Sequence, residues 1–308
     1  MRLALIFCCL LCSFAQADTV KVPGGTFEIN WRSNFTAAEQ ENIRAWLRHG
    51  AESTALVNGR FPLTTTNILV QRARRGSGPV PWGNTIRNTH PQGVSFHVKP
   101  ASSFKDLVED WTITHEFSHL FLPYPGRDDI WISEGFASYY QHILMMRKGT
   151  LSEQVGWQKF ADGFARGAAD PNQSVSLDTA SREMRQRRAF KRVYWSGAHY
   201  FLEADLHLRA NGSSLDQVIS NFLICCRHQN TRWTGIRLAT ALDKAAATEL
   251  FVPLFQQYEG LTRIPDYQST FEQLGIRFDG RAIILSEDPD QSKIRRGISA
   301  RRSLTELQ

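Results

Sequence analysis

Residues 111–142 read WTITHEFSHLFLPYPGRDDIWISEGFASYYQH. The first part holds His115-Glu116-Phe117-Ser118-His119 inside an apolar helical pattern of Trp111, Ile113, Phe117 and Leu120. Spacing of i, i+4 sets both imidazoles on one helix face, about 5 to 6 Å apart at Cβ, where they can share one zinc ion. Glu116 lies next to that ion without easily joining it, which suits a general base for a water the metal activates. Two histidines on an ordinary helix are the plain alternative. A catalytic zinc usually takes three protein ligands and leaves a fourth position for water, so a third ligand should stand on a following helix. Glu134 meets this requirement, fifteen positions after His119 and early in the helix that follows a Pro123, Pro125, Gly126 turn. Trp131, Ile132, Phe136, Ala137 and Tyr140 surround it, and a carboxylate in such a setting is costly unless it is paired. Metal coordination would offset that cost.

Working outward, the chain shows two patterns. Before this stretch, Phe27, Ile29 and Trp31 alternate as in a half-buried strand, Ile68 to Val70 signal a second, and Val94, Phe96 and Val98 a third. Thr36 and Glu39 form a capping box that opens a helix bearing Ile43, Trp46 and Leu47, with Gly50 ending it. Arg72 to Pro79 is loop by composition. From Ser103 onward the pattern is helical: Ser103 to Leu122 up to Pro123, Asp128 or Asp129 to Gly149, 152–166, 193–210, and a helix opened by Ser214 with Gln217. Shorter helices run to Leu274. A strand-rich lobe followed by a helical lobe is an α+β arrangement. The expected divisions are 1–17, 18–105 (strand-rich), 106–210 (catalytic helices), 211–285 (C-terminal helical lobe) and 286–308 (tail).

A chain of 308 residues with 42% hydrophobic and 21% charged residues is neither disordered, collagenous nor a disulfide scaffold. Arg2, the apolar run Leu3 to Phe14 and the Ala15-Gln16-Ala17 end read as a secretory signal peptide, so export to a periplasmic or extracellular space is expected. No later stretch approaches the roughly 20 apolar residues of a spanning helix. The net charge of +6 owes much to Lys293, Arg295, Arg296, Arg301 and Arg302. Without interleaved aromatics these read as a solvated tail, free to be disordered, and no nucleic acid partner is expected. A second cluster, Arg182, Arg185, Arg187, Arg188, Lys191 and Arg192 opposed by Glu183, precedes a helix and is expected to face substrate, favouring acidic ones. Of five cysteines, Cys8, Cys9 and Cys12 belong to the signal. Cys225 and Cys226 read as buried small hydrophobes. Sequons at Asn34, Asn172 and Asn211 bear only on a eukaryotic secretory route.

HEFSH followed by WISEGFASYY resembles the glutamate-zincin (gluzincin) peptidases, including the aminopeptidase N family and, more closely, the glycyl aminopeptidase family. The former typically place eighteen residues between the second histidine and the glutamate; His119 and Glu134 enclose fourteen. Val193 to Ala198, Leu206 to Arg209 and Ser214 to Val218 are similar to the tyrosine-bearing helix of these families, with Trp195 and Ser196 replacing its acidic and lysine neighbours. Leu238 to Phe278 resembles the helical lobe of glycyl aminopeptidases. The resemblance covers about residues 60 to 280. It implies a thermolysin-like zinc peptidase catalytic domain acting on a peptide or protein substrate, one Zn2+ held by His115, His119 and Glu134, and Glu116 as general base. It also implies that Tyr194 donates to the oxyanion; from the residues alone Tyr194 reads equally as a core tyrosine.

By the same resemblance, Gly93 to His97 stands where related enzymes carry an edge strand that binds substrate backbone. His97 is then a substrate-binding candidate, with a surface histidine as the plain alternative. Phe96 takes the approximate place of the glutamate that holds a substrate α-amine in aminopeptidases of this group, which sets endopeptidase against aminopeptidase. The alternative from another class is a catalytically silent zinc protein that binds peptides or a partner. An intact Glu116 and Tyr194 oppose it.

Overall fold

The structure, a computed structural model, describes residues 18–87, 89–227, 229 and 231–307. The expected signal segment 1–17 lies outside the described residues. Period-2 alternation builds the first lobe. Strands β1 (Asp18–Val22) and β2 (Gly25–Trp31) form a hairpin, helix α1 (Ala37–Ala55) follows, and β3 (Thr65–Arg72), β4 (Trp82–Ile86) and β5 (Gly93–Val98) complete one sheet of order β1-β2-β3-β5-β4. β2, β3 and β5 run parallel, whereas β4 is antiparallel to β5 with Gly83 opposite Phe96. α1 opens at the Thr36 and Glu39 box and runs past Gly50, which lies flush against the Ile113 side chain. Phe27, Ile68, Val70 and Phe96 meet Trp46, Leu47 and Phe117 in the core of this lobe.

This order corrects one expectation. β5, with Phe96 and His97, is an interior strand, and the outer strand is β4. Phe96 is fully buried between Trp46 of α1 and Phe117 of α3, the helices that cover its face of the sheet.

The helical region begins with α2 (Phe104–Glu109) and α3 (Thr112–Ser118), which a 3-10 turn (His119–Phe121) prolongs. These were expected as one helix. Asp110 divides them: its backbone is extended, which ends α2, and its carboxylate accepts from the Thr112 amide at 2.8 Å where α3 begins. α4 (Ile130–Lys148), α5 (Glu153–Ala168), α6 (Leu177–Arg182), α7 (Met184–Arg187) and α8 (Phe190–Ala210) follow. Next come α9 (Leu215–Cys225), α10 (Gly235–Ala246), α11 (Phe251–Gly260), α12 (Tyr267–Glu272), the hairpin β6 (Ile276–Asp279) and β7 (Ala282–Leu285), and α13 (Pro289–Ser299). α4 is buried along almost its whole length, and Trp131, Phe136 and Tyr140 join α8, α9 and α11 in the second core. Among the described residues no helix is long and apolar enough to cross a membrane.

Within the basic tail, α13 and two arginines pack on the rest of the chain, contrary to the charge pattern. Arg295 is buried and donates to the carbonyls of Leu274, Gly275 and Ser286 at 3.0, 3.1 and 2.8 Å and to Glu153 at 3.2 Å. Arg302 reaches Asp216 at 2.9 Å. Fixed carbonyls and carboxylates thus replace water around these cations. Cys225 and Cys226 are joined as a disulfide rather than packed as two thiols, Cys226 buried and Cys225 exposed.

Candidate metal centre and its cleft

α3 separates core from cleft. Ile113 and Phe117, four residues apart, belong with Leu120 to the sheet core. His115 and His119, also four apart, face the other way with Glu116 into a cleft of about 860 Å³. Helical periodicity alone produces this division.

His115, His119 and Glu134 offer ligand atoms that all lie within 4.8 Å of one another. The Nε2 atoms of His115 and His119 stand 3.2 and 3.5 Å from Glu134 Oε2. Ligands of a tetrahedral zinc with bonds of about 2.0–2.1 Å lie roughly 3.3 Å apart, so this donor set fits one ion. The outward nitrogens are occupied as a ligand pair requires. His115 Nδ1 donates to Gln141 Oε1 at 2.8 Å, and the Gln141 amide donates to His142 Nε2 at 3.0 Å. Burial pushes His142 down to about 3, so its ring is neutral here. His119 Nδ1 meets Ser133 Oγ at 3.2 Å, and Arg87 donates to the same hydroxyl at 3.3 Å. Burial alone would raise the Glu134 carboxyl, but the charge and hydrogen bonds of His119 and His115 outweigh it and hold the group well below the usual carboxylate range.

Glu116 is positioned by the outer strand. Thr85 Oγ1 donates to its Oε2 at 3.0 Å. A Cβ at Gly83 would fall 2.6 Å from Glu116 Cγ and 2.8 Å from Thr112 Cγ2, so only glycine lets β4 lie this close to α3. Tyr194 is positioned by a helix crossing. A Cβ at Gly135 would sit 2.3 Å from the Gly197 backbone, and one at Gly197 2.1 Å from the Trp131 carbonyl. α4 and α8 therefore touch backbone to backbone, with Glu134 beside the crossing and Tyr194 one turn from it. The Tyr194 ring stacks on His115 at 6.1 Å and 15°. Burial, together with the Glu134 charge, raises its hydroxyl far above the ordinary value, so it stays a proton donor at neutral pH.

Of the residues singled out from sequence, His115, Glu116, His119, Glu134 and Tyr194 all line this cleft, whereas Phe96 and His97 do not. His97 packs edge-on against Trp82 at 4.5 Å and meets Gln71. Sequence reasoning missed Gly83, Thr85, Arg87, Ser133 and Gln141. One signal was available: an isolated glycine in a short run just after Pro79 and Pro81, which marks close backbone approach. The basic cluster largely disperses. Arg182 pairs with Asp178 at 2.6 Å, Arg187 with Glu183 at 2.5 Å, and Arg192 is buried with a bond to the Leu261 carbonyl at 2.8 Å. Of the cluster, Arg185 is the member that lines the cleft.

The M61 glycyl aminopeptidase family model matches residues 124–204, a stretch that contains Glu134 and Tyr194. No curated protein matches the sequence. Among solved structures, an aminopeptidase N family protein from Idiomarina loihiensis superposes with TM-score 0.58 at 16% identity, over 85% of this chain and 49% of that one. A two-domain M1 zinc metallopeptidase bound to L-tryptophan gives 0.51 at 15% identity, over 81% and 52%. A mutant M1 zinc metallopeptidase from Deinococcus radiodurans bound to a Tyr-Ser-Ala substrate gives 0.50 at 18% identity, over 81% and 52%. The chain has the α+β fold of M1 peptidase domains and spans about half the length of these structures.

Proposed function

We propose that this chain is an exported zinc-dependent peptidase that hydrolyses peptide bonds in the cleft between β4, α3, α4 and α8. The observation that carries this reading is the meeting, in one cleft, of a His115, His119, Glu134 donor set with the Glu116 carboxylate and the half-buried Tyr194. A zinc ion held by the three donors supplies Lewis-acid polarisation of a carbonyl and lowers the pKa of water. Glu116, steadied by Thr85, takes the proton from the attacking water and returns it to the leaving amine. Tyr194, kept protonated, donates to the oxygen on which negative charge develops. The outer edge of β4 offers free backbone groups to an extended peptide. The signal-like segment 1–17 and an M61-type match support export and peptide hydrolysis respectively.

Glu116→Gln is expected to keep its zinc and lose about 10²–10⁴-fold in kcat, read by metal analysis and by mass-spectrometric mapping of cuts in free and N-acetylated peptides. Unchanged turnover would sink the assignment, and absence of cuts in both proteins would move weight to a silent peptide binder. Ladders from free N-termini identify an aminopeptidase, and internal cuts in blocked peptides an endopeptidase.

A further inference from the structure

The cleft has two unlike ends, and β4 runs from one to the other. At its start, Val80 and Trp82 adjoin the beginning of α3: the Thr112 hydroxyl donates to the Val80 carbonyl at 3.1 Å, and Asp110 accepts from the Val80 amide at 3.4 Å. Trp82 and Trp111 are exposed there. Gly83 and Thr85 then pass Glu116. At the far end Arg87 donates to the Leu122 carbonyl at 3.0 Å and to Ser133 Oγ at 3.3 Å, with its guanidinium 5.3 Å from the centre of the Tyr124 ring. Arg185, from α7, lines the same end; its charge reaches both Tyr124 and Tyr194. Among the described residues Arg185 makes no ion pair, whereas Arg182 and Arg187 on either side of it do.

The carboxylates lining the cleft are Asp110, Glu116 and Glu134. Asp110 belongs to the tryptophan end and is already accepting from Thr112 and Val80. Glu134 belongs to the metal donors and Glu116 to the proton transfer. The Arg87 end therefore holds two cations and no spare anion. A substrate ammonium placed there meets like charge, while a carboxylate gains charge-assisted hydrogen bonds. Arg87 has N–H donors beyond those it gives to Leu122 and Ser133.

Resting on the peptidase reading, we propose that Arg87 and Arg185 form a carboxylate-binding subsite at the Tyr124 end of the cleft, which selects substrates bearing an acidic side chain or a free C-terminal carboxylate at that end. Among the described residues lining that end, none is a carboxylate free to anchor an α-amine.

The test uses zinc-loaded full chain and N-acetylated, internally quenched peptides of one parent sequence. Asp is exchanged for Asn at each position on either side of the cut, and a free C-terminus for its amide. At low salt one carboxylate position should raise kcat/KM about tenfold over its neutral twin, and added salt should weaken the preference. Arg185→Gln should bring the ratio to within about threefold of unity, and Arg185→Lys should restore part of it. A preference confined to the free C-terminus identifies the terminal carboxylate; one at an internal position identifies a side chain. Equal rates for every pair, or a preference untouched in Arg185→Gln, would overturn the subsite. The same peptides are also titrated onto the Glu116→Gln protein by fluorescence anisotropy. If nothing is cut in these blocked peptides, the endopeptidase form of the reading fails, but tighter binding of the carboxylate twin still supports the subsite and equal binding rejects it.

Discussion

The two walls of the cleft are built differently. The helical wall, α3 with α4 and α8, is mostly buried, locked by a glycine crossing, and holds the candidate ligands His115 and His119 with hydrogen bonds to Gln141 and Ser133. The strand wall, β4, is the outer strand of its sheet, exposes Trp82, and reaches the chemistry through one glycine and one threonine. Rigidity on one side suits bond breaking, which needs groups held to a fraction of an ångström. Free backbone and exposed side chains on the other suit recognition. Substitutions on the helical wall should therefore register in kcat or stability, and those on the strand wall in substrate preference and in the aim of Glu116.

After Glu116→Gln, the largest effect that separates the walls is expected at Tyr194, the proposed oxyanion donor. Tyr194→Phe should lower kcat by about 10²–10³-fold with little change in KM, measured on the best peptide from cleavage mapping with zinc content checked in parallel. A change confined to KM would place Tyr194 with recognition instead and blur the contrast.

Next in size is acid sensitivity arising behind the helical wall. His199 on α8 is buried, bonded to the Tyr258 hydroxyl at 2.6 Å and to Thr270 at 3.0 Å, and burial holds it down at about 4 against an ordinary 6.5. Between those values the unfolded chain is protonated here and the folded one is not. Stability is therefore full above about pH 6.5 and falls as the pH drops toward 4, by roughly 3 kcal/mol for this one group. His49 and His142 share the sign. Urea midpoints between pH 7.5 and 4.5 should fall less steeply in His199→Gln than in the parent; parallel slopes would show that His199 titrates normally.

Smallest and most discriminating is a pair of glycine substitutions. Gly135→Ala pushes a methyl into the backbone of α8 and should cost about 1–3 kcal/mol by thermal unfolding. Gly83→Ala presses on the Glu116 side chain, which can yield, so it should lower kcat about tenfold through misplacement of the base with a smaller loss of stability. The reverse ranking would mean that β4, not the helix crossing, is the rigid wall.

What could be read in the residues alone was what short-range geometry determines. An i, i+4 pair of histidines faces one way on any helix, Thr36 with Glu39 caps whatever helix follows, and an acidic residue amid Trp131, Ile132 and Phe136 needs a partner in any packing. Tyr194 was legible through resemblance alone, because its approach to Glu134 depends on Gly135 meeting Gly197 from another helix. Strand order is a long-range property. The alternation of Val94, Phe96 and Val98 says that β5 is buried on one face, but only its pairing with β4 makes it an interior strand and leaves the cleft edge to Trp82–Ile86. Charge pattern proved equally incomplete: the arginines of the tail and of 182–192 looked alike in sequence, and tertiary contacts decided which are buried, which are paired and which, Arg185, faces the cleft. Local periodicity needs a few neighbouring residues to be decoded, whereas edges, crossings and ion partners are chosen by segments far apart in the chain.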